Sequence, residues 1–135
     1  MQHRILCCGN RNWSNYTIIL EELKIFPSGT IIIEGEAKGA DKLSAKAANE
    51  LGFTVLKYPA KWAIYGKAAG PIRNKQMLNE GKPTLVIAFH NDIASSKGTK
   101  DMVNQARKAG LSVKIVNEVK ISSPLAIFTS ADESQ

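Results

Sequence analysis

The chain is predicted to fold as an α/β protein, a three-layer sandwich built on a mainly parallel five-stranded sheet. Three observations predict it. Apolar, β-branched runs alternate with stretches of helical periodicity through 135 residues, which implies crossover helices on both faces of a parallel sheet. The runs Thr30–Glu34 and Thr84–Phe89 hold consecutive apolar residues, as strands buried on both faces do. Glycine or proline then punctuates the segment ends.

Arg4-Ile-Leu-Cys-Cys8 reads as the first strand, ending at Gly9. Tyr16, Ile19, Leu20 and Leu23 recur at helical spacing, and Pro27-Ser-Gly29 ends that helix. Thr30–Glu34 is the second strand. Ala40, Leu43, Ala47 and Leu51 form one helical stripe, closed by Gly52 where a helix C-cap favours glycine. Phe53–Tyr58 is the third strand. A less regular piece follows from Pro59 through Gly70, holding Trp62 and Tyr65. Pro71 suits the first turn of a helix running to about Asn79. Thr84–Phe89 is the most apolar strand and is therefore expected at the centre of the sheet. Met102, Val103, Ala106 and Ala109 stripe the last helix, Gly110 ends it, and Leu111–Val116 is the fifth strand. The expected architecture is Rossmann-like, with one domain over residues 1–116. Residues 117–135 form a C-terminal extension whose Leu125-Ala-Ile-Phe128 is expected to dock on the body or on a second subunit.

Composition narrows the class. Hydrophobic residues make up 44% and charged residues 22%, the balance of a soluble globular domain. No run approaches the roughly 18 apolar residues that a membrane span needs. Met1-Gln-His-Arg-Ile-Leu6 leads straight into a strand pattern without a signal-peptide core, so a cytoplasmic location is expected. Cys7 and Cys8 are adjacent on a strand and point to opposite faces, which suits neither a disulfide nor a metal pair. His3 and His90 have no partner at metal-ligand spacing, and no metal or cofactor is predicted. The net charge is +6, and Lys57, Lys61, Lys67, Arg73, Lys75 and Lys82 face a single acid, Glu80, in their stretch. Such a patch attracts phosphate-bearing partners or is simply a solvated basic face.

In an open parallel sheet, ligands sit beyond the carboxyl ends of the strands, where strand order reverses. Four segments are expected there: Gly9–Trp13, Gly35–Asp41, Tyr65–Asn74 and His90–Thr99. In the first, Gly9 and Asn10 end the strand, and Arg11 suits a phosphate or carboxylate. Trp13 either stacks on a base or packs in the core. In the second, Gly35, Gly39 and Ala40 offer backbone N–H groups to an anion beside Lys38. Asp41 either caps the following helix or binds a ribose hydroxyl. Glu36 is out of place in a phosphate-binding turn and is a candidate general base. In the third, Lys67 and Gly70 precede Arg73 and Asn74, which suit an anion and an amide or hydroxyl. In the fourth, Ser96, Lys97, Gly98 and Thr99 resemble a phosphate cradle without the order of a Walker A loop.

Taken together, Gly9-Asn-Arg-Asn-Trp13, Glu34-Gly-Glu-Ala-Lys-Gly-Ala-Asp41, Tyr65-Gly-Lys-Ala-Ala-Gly-Pro-Ile-Arg-Asn74 and Lys97-Gly-Thr-Lys-Asp-Met102 resemble one family. It is the YspA/cpYpsA-related branch of the SLOG superfamily, frequent in bacteria and their phages, and the resemblance covers about residues 4 to 116. It implies a Rossmann-like fold that binds nucleotides or nucleotide-derived ligands, including signalling nucleotides, and a homo-oligomer. Among SLOG relatives, the LOG enzymes hydrolyse the N-glycosidic bond of nucleoside monophosphates, and DprA-like proteins bind single-stranded DNA. The LOG enzymes carry Pro-Gly-Gly-x-Gly-Thr-x-x-Glu. Here Gly98-Thr99 keep their place, the Pro-Gly-Gly lead is replaced, and Met102 stands where the glutamate would be. Relatives often have glycine where Glu36 stands. Asp101, one residue before Met102, points roughly 100° away on a helix. The first expectation is therefore a protein that senses or sequesters a nucleotide-derived ligand. The alternatives are a glycosidase using Glu36 or Asp101, and a nucleic-acid-binding protein using the basic stretch.

Overall fold

The structure is a computed structural model and describes residues 2–118. The expected docking of Leu125–Phe128 lies outside the described residues. In chain order the elements are β1 (Arg4–Gly9), α1 (Tyr16–Leu23), β2 (Ile31–Glu34), α2 (Ala40–Glu50), β3 (Thr54–Lys57) and α3 (Trp62–Tyr65). A 3-10 turn at Gly66–Ala68 leads into α4 (Ala69–Gly81), followed by β4 (Leu85–Phe89), α5 (Gly98–Lys108) and β5 (Val113–Val116). The strands form one sheet in the order β3-β2-β1-β4-β5, and every neighbouring pair is parallel. The fold class predicted from sequence is the one observed.

Two apolar cores, one on each face, follow from the strand alternation. Ile5, Cys7, Ile32, Ile87 and Phe89 meet α1 and α2 through Ile19, Leu23, Ala47 and Ala48. Leu6, Cys8, Ile33, Val86 and Ala88 meet α4 and α5 through Met77, Met102, Val103 and Ala106. Cys7 and Cys8 thus lie on opposite faces, both as buried free thiols. Burial raises both thiol pKa values, that of Cys7 to about 12.

Several details differ from expectation for local reasons. The central strand is β1, with β4 beside it; both are flanked on each side, so apolar content alone does not rank them. Helix α2 buries Ala40, Asp41, Ser44, Ala45, Ala47 and Ala48, while Leu43 and Leu51 pack only partly buried at the core's edge. Small residues let this helix lie close to the sheet. Ala109 is the exposed C-cap of α5 and not part of its buried stripe. Helix α4 has Pro71 in its first turn, as expected, but runs on to Gly81 rather than ending near Asn79.

Strand order reverses between β1 and β4. From β1 the chain builds outward to β2 and β3 on one side, and from β4 to β5 on the other. The loops after β1 and β4 therefore diverge and leave a crevice at the carboxyl edge.

Candidate ligand-binding site

A cavity of about 790 Å³ occupies that crevice, within the roughly 300–1,000 Å³ typical of small-molecule sites. Cys8 and Gly9 from β1, His90 after β4, Met77 from α4 and Met102 from α5 line it. Asn10, Arg11 and Asn12 contribute from the loop after β1, and Glu36, Ala37, Lys38 and Asp41 from the turn after β2. The start of α5 adds Ser95, Ser96, Lys97, Gly98 and Thr99, and the α3–α4 region adds Trp62, Gly70, Arg73 and Asn74. All four segments expected from the sequence supply residues to one cavity.

The turn after β2 is built differently from a phosphate cradle. The Asp41 carboxylate accepts from the N–H groups of Gly35 and Ala37, both at 3.2 Å. Glu34 Oε1 accepts from the Glu36 N–H at 2.5 Å, and the Ala40 N–H donates to the Asn10 carbonyl at 3.1 Å. The protein's own acceptors thus take four of the turn's N–H donors, those of Gly35, Glu36, Ala37 and Ala40. Asp41 does not cap α2 either, since Gly39 holds the cap position and makes no side-chain bond there. Gly39 has φ +84°, and a Cβ on it would collide with the Asn10 and Arg11 carbonyls, so this residue locks the two loops together.

Three carboxylates crowd this turn. Glu34 is fully buried, and its Oε2 has no hydrogen-bond partner among the described residues. Desolvation raises the Glu34 pKa to about 7, opposed by its bond from the Glu36 N–H and assisted by the charge of Asp41. Burial likewise raises Asp41 to about 6, against the Arg73 charge and its two backbone bonds. Glu36 holds a left-handed backbone, φ +62°, a conformation that favours glycine. Its side chain pairs with Lys57 Nζ at 3.5 Å.

Arg73 lines the cavity but is also a brace. Its Nη1 donates to the Gly35 carbonyl at 2.5 Å and to the Tyr58 carbonyl at 3.4 Å, and its Nε to Asn74 Oδ1 at 3.0 Å. A side chain at Gly35 would displace the guanidinium. Asn74 is buried and donates to the Gly98 carbonyl at 3.4 Å and to Asp101 Oδ2 at 3.0 Å. It ties α4 to the first turn of α5, where Ser96 Oγ accepts from the Thr99 N–H at 3.1 Å.

Among the described residues, the cleft cations Arg11, Lys38 and Lys97 make no ion pair, unlike Lys57. They supply uncompensated positive charge. His90 is buried, and its Nδ1 accepts from the Asp92 N–H at 2.9 Å. This orientation leaves Nε2 as the donor of the neutral ring.

Several expected site residues do not reach the cavity. Trp13 is 5% exposed in the α1–α2 core, packs against Phe89, and donates its indole N–H to the Asn15 carbonyl; base stacking is closed to it. Asp101 is held by Asn74 and by Gln105 at 2.8 Å, away from the lining. Lys67 is exposed on the 3-10 turn outside the cavity. Gly35, Gly39 and Ala40 shape the turn from behind. Sequence reasoning in turn assigned no ligand role to His90, Met77 or Cys8, and weighed Trp62 only for stacking on single-stranded nucleic acid. His90 carried the one usable signal, being the first residue past a strand at the reversal point. No three His, Cys, Asp or Glu side chains form a metal-holding group among the described residues.

Comparison with known proteins bears on the family and the fold. A family model described as the YspA, cpYpsA-related SLOG family matches residues 3–65. The Gene 61 protein of Mycobacterium phage D29 is 33% identical over 119 residues, covering 82% of this chain and 93% of the phage protein. The X-ray structure of DNA processing protein A from Streptococcus pneumoniae superposes with a TM-score of 0.66 at 18% identity. That match covers 89% of this chain and 52% of the streptococcal one, so the chain spans about half of that protein.

Proposed function

The chain belongs to the YspA, cpYpsA-related SLOG family, and from that premise we propose that it binds a nucleotide or nucleotide-derived ligand in the switch-point cleft and senses or sequesters it. The observation that carries this reading is the set Arg11, Lys38 and Lys97, which line one cavity together with the bracing Arg73 and make no ion pair among the described residues. Positive charge converging on one cleft raises the local concentration of anions. The phosphate belongs at the start of α5, where Ser96 and Thr99 add hydroxyls and the helix end adds favourable potential. It does not belong at the turn after β2, where the N–H groups of Gly35, Glu36, Ala37 and Ala40 are already taken. Asp41 and Glu36 suit the hydroxyls of a sugar instead.

A second reading, an N-glycosidase, is favoured by one observation: the Glu36 carboxylate lines the same cavity. Met102 sits on the lining where the LOG glutamate would stand, and a thioether neither exchanges a proton nor stabilises an oxocarbenium charge. Glu36 would have to act alone while paired with Lys57.

Native mass spectrometry of the purified protein with a nucleotide pool separates these readings. The pool contains nucleoside monophosphates, NAD, ADP-ribose, cyclic dinucleotides and a short single-stranded oligonucleotide. A small nucleotide retained intact is the expected result. Free base released by the parent and not by Glu36→Gln would establish the glycosidase. Retention of the oligonucleotide alone, with affinity falling steeply in salt, would move the function to the basic stretch and to nucleic acid, the class of partner that the streptococcal neighbour's name suggests.

A further inference from the structure

We infer that Trp62 is the stacking platform for the base of the bound nucleotide; this rests on the nucleotide reading and adds which part of the ligand distinguishes it from a sugar phosphate. Trp62 lines the cleft yet is 59% exposed, whereas tryptophan in a folded domain is ordinarily well buried. An indole left half in water on the rim of a charged cavity offers ring surface with no ring partner among the described residues. Its support is specific. A Cβ on Gly70 would stand 3.3 Å from the indole Cη2, so the bare backbone at the start of α4 lets the ring rest over it.

The other rings in this region are committed elsewhere. Trp13 is in the core against Phe89. Tyr65 lines a separate hollow of about 160 Å³ with Lys61 and Ile72. Trp62 is therefore the only indole or phenol ring on the cleft among the described residues. The cations come from other segments, the loop after β1, the turn after β2 and the start of α5. Base and phosphate are thus read by different parts of the chain, and a flat aromatic base meets a ring that accepts any π-face.

The test measures binding of the four ribonucleoside 5′-monophosphates, and of ribose 5-phosphate as the baseless control, by the parent, Trp62→Ala and Trp62→Phe. Trp62 is exposed, so both variants are expected to fold, and the buried Trp13 gives a fluorescence check that they have. The expected result is a nucleotide bound more tightly than ribose 5-phosphate, with quenching of Trp62 emission. Trp62→Ala should then lose roughly tenfold to a hundredfold for that nucleotide and nothing for ribose 5-phosphate, while Trp62→Phe retains most of the affinity. Equal binding by the parent and Trp62→Ala, or equal binding of nucleotide and ribose 5-phosphate, would overturn the role of Trp62 and leave phosphate binding standing. No binding of any of the five would overturn the monophosphate-sized ligand and this role together.

Discussion

Glu34 carries an unusual load for one residue. It is buried at the end of β2, gives one carboxylate oxygen to the Glu36 N–H, and leaves the other unpartnered among the described residues. Its native pKa of about 7 lies above its ordinary 4.5. Between those values the unfolded chain has released a proton that the native state keeps, so stability falls as pH rises through that window. Asp41 acts in the same sense from about pH 3.8 to 6. Together the two make neutral pH more costly than mildly acidic pH, by an amount on the order of a few kcal/mol. Glu34→Gln should therefore match the parent at pH 5 and exceed it at pH 8 in urea denaturation. Parallel pH profiles for the two proteins would remove this account. The neighbouring Glu36 explains a sequence oddity: its φ of +62° is why glycine suits the position.

At the scale of elements, α4 is the part that joins the walls of the cleft. Its Gly-Pro-Ile-Arg-Asn stretch works mostly as a brace. Gly70 makes room for Trp62, and the Pro71 carbonyl accepts from Gln105 at 3.3 Å. Arg73 grips the turn after β2 and Asn74 grips the start of α5. Arg73→Lys keeps the charge but loses the planar fork. It should lower stability by about 1–2 kcal/mol in chemical denaturation, beyond any effect on ligand. Asn74→Ala removes the bond to the Gly98 carbonyl and the charge-assisted bond to Asp101 and should cost about 1–3 kcal/mol, with weaker ligand binding because α5 is no longer held. An Asn74→Ala protein as stable as the parent would show that the α4–α5 tie is dispensable.

The elements themselves were legible in the sequence because strand and helix periodicities are local. The parallel sheet and the convergence of four loops followed from alternation and topology. What stayed hidden is where each side chain turns once the loops are folded. Asp41 turns back to Gly35 and Ala37, six and four residues earlier, and fills the turn that glycines seemed to keep open for phosphate. Trp13 and Trp62 are both tryptophans near loop positions, and only the packing decides that the first is core and the second is rim.

At the scale of the whole molecule, the +6 charge and the three unpaired cleft cations make binding an electrostatic matter. A nucleotide at 100 times its Kd should raise stability by about 2.7 kcal/mol through mass action, seen as a higher Tm. The gain should shrink between 0.05 and 0.5 M salt, since the Debye length falls below roughly 10 Å over that range. A Tm shift that ignores salt would place the ligand away from Arg11, Lys38 and Lys97. No helix among the described residues is long and apolar enough to cross a membrane.

The two adjacent thiols at the end of β1 have one more consequence. Cys7 faces the α1–α2 layer and Cys8 faces the α4–α5 layer and the cleft floor, and burial suppresses the thiolate of each. Cys7, fully buried, can be alkylated only when its layer opens, whereas Cys8, at the floor of the cleft, is reached from the cleft side. Neighbouring positions on one strand thus act as two independent clocks, one timing the breathing of the α1–α2 layer and the other access to the cleft floor. A molecule seated in the cleft would slow the Cys8 clock and leave the Cys7 clock to its own time.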